Sequence, residues 1–242
     1  MKLYYAPGAC SLSPHIVARE AGIAIELDKV DLKAKKTDSG EDFNKVNPKG
    51  YVPAFRLDDG SVLTEGPAIV QYLADQKPDS GLAPKAGTKE RYKLAEWLAF
   101  LNSEVHKTWS GLWKPDAVRG PIEEKLAQRL DYVNAELKNR QYLMGDRFSV
   151  ADAYLFTVLN WGQWTKVDLA RWPALQQFMS RVAARPKVQE ALKAEGLTKY
   201  WPALRCPASS SPTARRCTPF SPGLQARRGR RSASAFRGPR QS

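Results

Sequence analysis

Cysteine and histidine are scarce in this chain: three Cys and two His among 242 residues. Cys10, Cys206 and Cys217 are odd in number and widely spaced, which excludes a disulfide framework and suits a reducing compartment. The histidines stand far apart and no CxxC occurs, so no metal-ligand spacing is present. No apolar run approaches the roughly 18 residues of a membrane span. The opening Met1-Lys2-Leu3-Tyr4-Tyr5-Ala6 lacks the long apolar core of a signal peptide and reads as a strand. No phosphate loop or dinucleotide fingerprint occurs. The expectation is a cytoplasmic protein without membrane contact, metal or tightly bound cofactor.

Acidic residues are missing from residues 203–242, which hold nine Arg and no Lys. Ala, Arg, Pro, Ser and Gly make up 30 of those 40 residues, a mix that cannot bury enough apolar surface to offset its ordering entropy. The net charge of +13 therefore misleads, since the rest of the chain carries only +4. The segment reads as a basic arm for nucleic acid or an anionic membrane, as a disordered appendage, or as a GC-rich strand translated out of frame. The abrupt change of composition favours the last, and a nucleic-acid role is not expected.

What is present before that tail divides in two. Residues 2–5 read as a strand, 11–21 as a helix closed by Gly22, and 25–30 as a second strand by alternation. Residues 33–40 are polar and loop-like, and 41–46 suit a short helix. Asn47-Pro48-Lys49-Gly50 is a turn cluster, and 53–57 with 62–63 make a hairpin around Asp58-Asp59-Gly60-Ser61. A helix follows at 67–75. The order β-α-β-α-β-β-α suits a small sheet covered on both faces. Residues 76–87 read as a linker, after which strand signals disappear. Helices are expected at 89–113, 121–137, from Ser149-Val150-Ala151-Asp152 to about 161, and at 173–184 and 187–194.

Four places carry chemistry. Cys10 precedes a helix, where free N–H groups and roughly half a positive charge would lower a thiol's pKa; it reads equally as a small packed hydrophobe. Val52 is held extended by Pro53 and could offer its backbone to a peptide-like ligand; Pro53 could otherwise be an ordinary edge-strand proline. Glu65-Gly66-Pro67 precedes a helix, so a carboxylate for an ammonium sits beside N–H groups for a carboxylate; Glu65 could otherwise simply favour the helix start. On a continuous α-helix, Ala99, Ser103, His106, Ser110 and Trp113 share a face offset from the apolar stripe. From there His106 could hydrogen-bond or polarise a sulfur, or be only structural. Lys35 and Lys107 could meet a ligand carboxylate.

The combination resembles the bacterial beta-class glutathione S-transferases over residues 1–201. The elements that carry the resemblance are Lys2-Leu3-Tyr4-Tyr5 through Cys10-Ser11-Leu12-Ser13-Pro14-His15, Asn47-Pro48-Lys49-Gly50-Tyr51-Val52-Pro53-Ala54 and Leu63-Thr64-Glu65-Gly66-Pro67-Ala68-Ile69. Glu104-Val105-His106-Lys107 and Ser149-Val150-Ala151-Asp152-Ala153-Tyr154 complete it. The resemblance implies a thioredoxin-like domain at 1–80, an all-helical domain at 87–201 and a homodimer. It implies a cis Val52–Pro53 bond and antiparallel pairing of Val52 with glutathione as co-substrate. It implies Glu65 and Gly66 at the γ-glutamyl end, Lys35 near the glycyl carboxylate, and Cys10 beside the glutathione sulfur. It also implies His106 near that sulfur, with Ser103, Glu104 and Lys107 around it. Family members often carry Asn at the position of Ala99, reaching glutathione in the partner subunit; Ala99 cannot make that bond.

The activity implied is conjugation of the glutathione thiolate to hydrophobic electrophiles, alongside Cys10-dependent thiol–disulfide exchange; Tyr51, Trp109, Trp113 and Trp164 could form an apolar wall, and each Trp reads otherwise as helix-packing core. Two alternatives stand. Cys10-Ser11-Leu12-Ser13 lacks a resolving cysteine and would suit a monothiol thiol transferase. A protein that only binds hydrophobic compounds would show neither turnover.

Overall fold

The computed structural model describes residues 1–114 and 118–198, and the tail at 203–242, with Cys206 and Cys217, lies outside them. The first half places β1 (Lys2–Tyr5), α1 (Leu12–Glu20), β2 (Glu26–Asp31), β3 (Lys36–Thr37), α2 (Phe43–Val46), β4 (Ala54–Arg56), β5 (Val62–Thr64) and α3 (Gly66–Gln76). The sheet order is β3-β2-β1-β4-β5. β1 runs parallel to β2, with Leu3 opposite Leu27, and antiparallel to β4, with Leu3 opposite Phe55. The β4–β5 pair is the expected hairpin, with Phe55 opposite Leu63.

Alternation along β1 decides which side covers what. Leu3 joins Leu12, Ile16, Phe55 and Ile69 in the core beneath α1 and α3, while Tyr4 joins Phe43, Val46 and Val52 on the opposite face. Leu3, Ile16, Phe55 and Ile69 are fully buried, worth about 1.5–3 kcal/mol each. Two parallel strands joined through α1, followed by an antiparallel hairpin and a helix, make the thioredoxin-like arrangement. β3 was not expected. Its two residues pair with Val30 and Asp31, and Lys36 bridges to Asp42, inside a stretch of lysines and polar residues that reads as loop.

The second half is helical: α4 (Lys89–Phe100), α5 (Lys107–Ser110), α6 (Arg119–Leu137), α7 (Val150–Leu159), α8 (Gly162–Thr165), α9 (Pro173–Ala183) and α10 (Pro186–Ala194). The single helix expected over 89–113 is a correction. A π-helical segment, Leu101–His106, separates α4 from α5, and a 3₁₀ turn closes at Trp113. Within it the Lys107 N–H reaches back five residues to the Asn102 carbonyl, which shifts the side-chain directions that follow.

α7 is buried along its whole length. Its start is fixed by Asp152, which accepts from the Ser149 N–H and hydroxyl at 2.8 and 2.7 Å and from the Leu143 N–H at 2.8 Å. α1 packs against α3, α7 and α10, so the helix that follows Cys10 is held from both halves. No helix among the described residues is long and apolar enough to cross a membrane.

Candidate active site

Two cavities meet at Cys10, Tyr51 and Val52. One, of about 500 Å³, is also lined by Glu65, Gly66, Ser103, His106 and Lys107. The other, of about 550 Å³, is walled by Ala6, Pro7, Leu32, Trp113, Trp161 and Trp164. Both lie within the usual size range of ligand sites.

The turn carrying Cys10 is tied down on every side. The Ser11 hydroxyl donates to the Ala6 carbonyl and accepts from the Ala6 N–H, at 3.2 and 3.1 Å. The Gly8 N–H donates to Glu195 at 2.9 Å, and Trp161 Nε1 donates to the Gly8 carbonyl at 2.9 Å. Gly8 has φ +73°, and a Cβ there would stand 2.7 Å from the Trp164 ring, so only glycine serves. Glu195, buried, also holds Nδ1 of His15 at 2.8 Å, while Arg19 Nε donates to His15 Nε2 at 2.9 Å.

Cys10 donates its S–H to the Val52 carbonyl, 3.2 Å away. Burial pushes its thiol up to about 12, outweighing the backbone N–H groups of Cys10 and Ser11 that favour a thiolate. The expected fall below 8.5 is therefore reversed: the helix start is present, but desolvation wins. Val52–Pro53 is cis, as the resemblance implies.

Glu65 occupies the left-handed region at φ +69°, on the order of 1–3 kcal/mol of strain for a non-glycine residue. Lys49 Nζ and the Tyr51 hydroxyl both donate to its Oε1, at 2.6 and 2.8 Å. These bonds, Lys49 foremost, hold its carboxyl below the usual range. The expected set of free N–H groups at α3 shrinks to one. Ala68 and Ile69 donate to the Glu65 carbonyl, Pro67 has no N–H, and Gly66 remains. A Cβ on Gly66 would stand 2.8 Å from the Tyr154 ring.

His106 Nδ1 lies 2.7 Å from the Tyr154 hydroxyl, which donates to Asn102 Oδ1 at 2.8 Å. The one hydroxyl hydrogen is committed to Asn102, so Nδ1 carries a proton and donates, leaving Nε2 as acceptor. Burial first, then the Lys107 charge, lowers His106 to about 4, so the ring is neutral at pH 7. Sequence reasoning missed Asn102, Tyr154 and Trp161, all of which line the two cavities. Tyr154 and Trp161 lie in an apolar stretch that reads as core.

The structure brings together Cys10, Val52, Glu65, Gly66, Ser103, His106 and Lys107. It turns Glu104 elsewhere: that carboxylate accepts from Arg129 Nε at 2.8 Å and faces a separate groove between α4 and α6. Ser103, His106 and Ser110, from the face that α-helical spacing predicts, do line the first cavity; Glu104 was implied by the resemblance alone. Lys35 stands outside the lining, its ammonium donating to the Gly50 carbonyl at 2.7 Å. Ala99 is exposed and lines neither cavity. Tyr51, Trp113 and Trp164 do wall the apolar cavity, but Trp109 is fully buried and donates to Thr165 Oγ1 at 2.9 Å. It is core.

Comparison with known proteins matches residues 8–76 to the glutathione S-transferase N-terminal domain and 119–186 to the C-terminal domain. Glutathione S-transferase GstA of Escherichia coli O157:H7 is 48% identical over 200 residues, covering 81% of this chain and 100% of that protein. A sphingomonad glutathione S-transferase solved in complex with glutathione is 48% identical with TM-score 0.79, covering 81% of this chain and 100% of that one. A bacterial beta-class enzyme from Sphingomonas chungbukensis matches with the same identity, TM-score and coverage. Both halves of the fold match in order, and relatives near half identity align along their full length. The chain belongs to the glutathione S-transferase family, as a bacterial beta-class glutathione transferase.

Proposed function

We propose that glutathione lies in the cavity lined by Val52, Glu65 and His106, and that its own thiolate attacks a hydrophobic electrophile held in the tryptophan-walled cavity. The observation that carries this reading is the shared wall. A cavity with charged ends for a peptide opens beside an apolar one, and Cys10, Tyr51 and Val52 belong to both.

In this reading the Val52 backbone pairs with the cysteinyl residue of glutathione. Glu65 takes the γ-glutamyl ammonium and the Gly66 N–H its carboxylate, with Ser103 and Lys107 closing the far side. The sulfur rests beside the start of α1, where the N–H groups of Cys10 and Ser11 and the helix charge favour a thiolate. His106, neutral, offers a hydrogen-bond acceptor without adding charge. Cys10 is a protonated thiol on the wall. Holding both reactants in adjoining cavities makes the attack effectively intramolecular. Glu104 has no part here, and Lys35 reaches a glycyl carboxylate only by leaving the Gly50 carbonyl.

A second reading rests on the placement of the Cys10 sulfur between the two cavities. Cys10 attacks the glutathionyl sulfur of a disulfide between glutathione and a second thiol, expelling that thiol as its thiolate; a glutathione thiolate then attacks the Cys10–glutathione disulfide, which releases Cys10 and forms glutathione disulfide. A thiol held near 12 makes this slow at neutral pH. The proposal further takes 1–80 and 87–201 as the two domains of a cytoplasmic homodimer.

The test is glutathione binding by calorimetry together with turnover of an activated aryl halide. Glu65→Gln removes the ammonium's partner and is expected to raise the KM for glutathione by about tenfold or more. The proposal is overturned if the wild-type protein neither binds glutathione nor turns over, or if Glu65→Gln leaves KM unchanged.

A further inference from the structure

The seat for the γ-glutamyl end is short of donors for a carboxylate. Gly66 cannot carry a hydroxyl or any other side chain, because the Tyr154 ring fills the space its Cβ would need. Pro67 has no N–H, and those of Ala68 and Ile69 are spent on the Glu65 carbonyl. One backbone N–H therefore faces a group with two anionic oxygens.

The cation paired with Glu65 is Lys49. Its ammonium sits 2.6 Å from Glu65 Oε1 and 2.9 Å from Thr64 Oγ1, at the rim of the cavity. Lys49 and Tyr51 both engage Oε1, and no partner holds Oε2 among the described residues. The carboxylate thus keeps one oxygen open while a cation stands at its other. An ammonium arriving at Oε2 brings its α-carboxylate within the neighbourhood of the Lys49 charge. Lys49 stays about half exposed, at 48%, and its side chain is free to follow.

We infer that Lys49 is a binding residue for the substrate's α-carboxylate, so that Glu65 and Lys49 together form a seat selective for a zwitterionic amino-acid end. In the free protein the two halves of this seat satisfy each other. On binding, that internal pair is exchanged for two pairs with the substrate. A lone ammonium meets repulsion from Lys49, and a lone carboxylate meets repulsion from Glu65; only a group bearing both charges matches both. The inference rests on the reading of the cavity as the glutathione site.

Three peptides separate the possibilities: glutathione, 4-aminobutyryl-Cys-Gly, which lacks the α-carboxylate, and glutaryl-Cys-Gly, which lacks the α-ammonium. Affinities are measured by calorimetry at low salt on the wild type, Lys49→Met and Lys49→Arg. Lys49→Met is expected to weaken glutathione by about fivefold, the upper end for a half-exposed ion pair. It should bind 4-aminobutyryl-Cys-Gly at least as well as wild type does, since the repulsion is gone, and Lys49→Arg should keep glutathione binding. Glutaryl-Cys-Gly should bind the wild type more weakly than glutathione does. The inference is overturned if Lys49→Met binds glutathione as well as wild type, or loses both ammonium-bearing peptides equally, which would make Lys49 only a prop for Glu65. If the wild type binds none of the three, the glutathione site itself fails instead.

Discussion

Cys10 tests the electrostatic reasoning most sharply, because the helix start and burial pull its thiol in opposite directions. With its pKa near 12, about one molecule in 10⁵ carries the thiolate at pH 7. A free cysteine near 8.5 gives about three in 100. Since the thiolate is the reacting species, alkylation of Cys10 should be slower than that of a free thiol by about 3,000-fold at pH 7. The assay is iodoacetamide labelling followed by mass spectrometry, from pH 6 to 10, in a variant carrying Cys206→Ser and Cys217→Ser. The rate should rise about tenfold per pH unit with no plateau by pH 10. A plateau with a midpoint at or below 8.5 would refute the reasoning, because it would show the α1 N–H groups prevailing over desolvation.

Two further outcomes follow from buried groups. His106 has a folded-state pKa near 4, below its unfolded value of 6.5. As pH falls, the unfolded chain takes up the proton first, so stability is full above 6.5 and is lost as pH falls toward 4. The loss attributable to this ring is about 3 kcal/mol. Denaturant unfolding across that window should show the slope in wild type and a shallower one in His106→Asn; identical slopes would count against it. Glu195→Ala leaves the Gly8 N–H and His15 Nδ1 without their buried partner, at a cost of about 1–3 kcal/mol for each. A urea-unfolding difference under 1 kcal/mol would show the network to be dispensable.

Local pattern revealed the parts of this molecule that depend on neighbours in sequence. Alternation in β1 and β2, the turn chemistry around Asp59-Gly60, and the Ser149–Asp152 cap all placed elements within a few residues. β3 was illegible because two residues of pairing leave no period. The π-helical segment was illegible because Leu101, Val105 and Leu112 fit an apolar stripe in either geometry. The site backbone was legible through Cys10, Val52-Pro53 and Glu65-Gly66, where residue type and local chemistry coincide. The sign of the Cys10 shift was not, since desolvation comes from Val52 and the helical half, remote in sequence. Tyr154 was hidden for a related reason: a tyrosine in a buried, largely apolar helix reads as packing until its hydroxyl is seen between His106 and Asn102.

The central claim is that glutathione's sulfur, not that of Cys10, attacks the electrophile. Cys10→Ala addresses it directly when aryl-halide conjugation and glutathione-dependent reduction of a mixed disulfide of glutathione with a second thiol are assayed side by side on the same preparation. The account predicts conjugation within about tenfold of wild type, with any disulfide reduction abolished. Loss of conjugation in a variant that still folds and binds glutathione would contradict it.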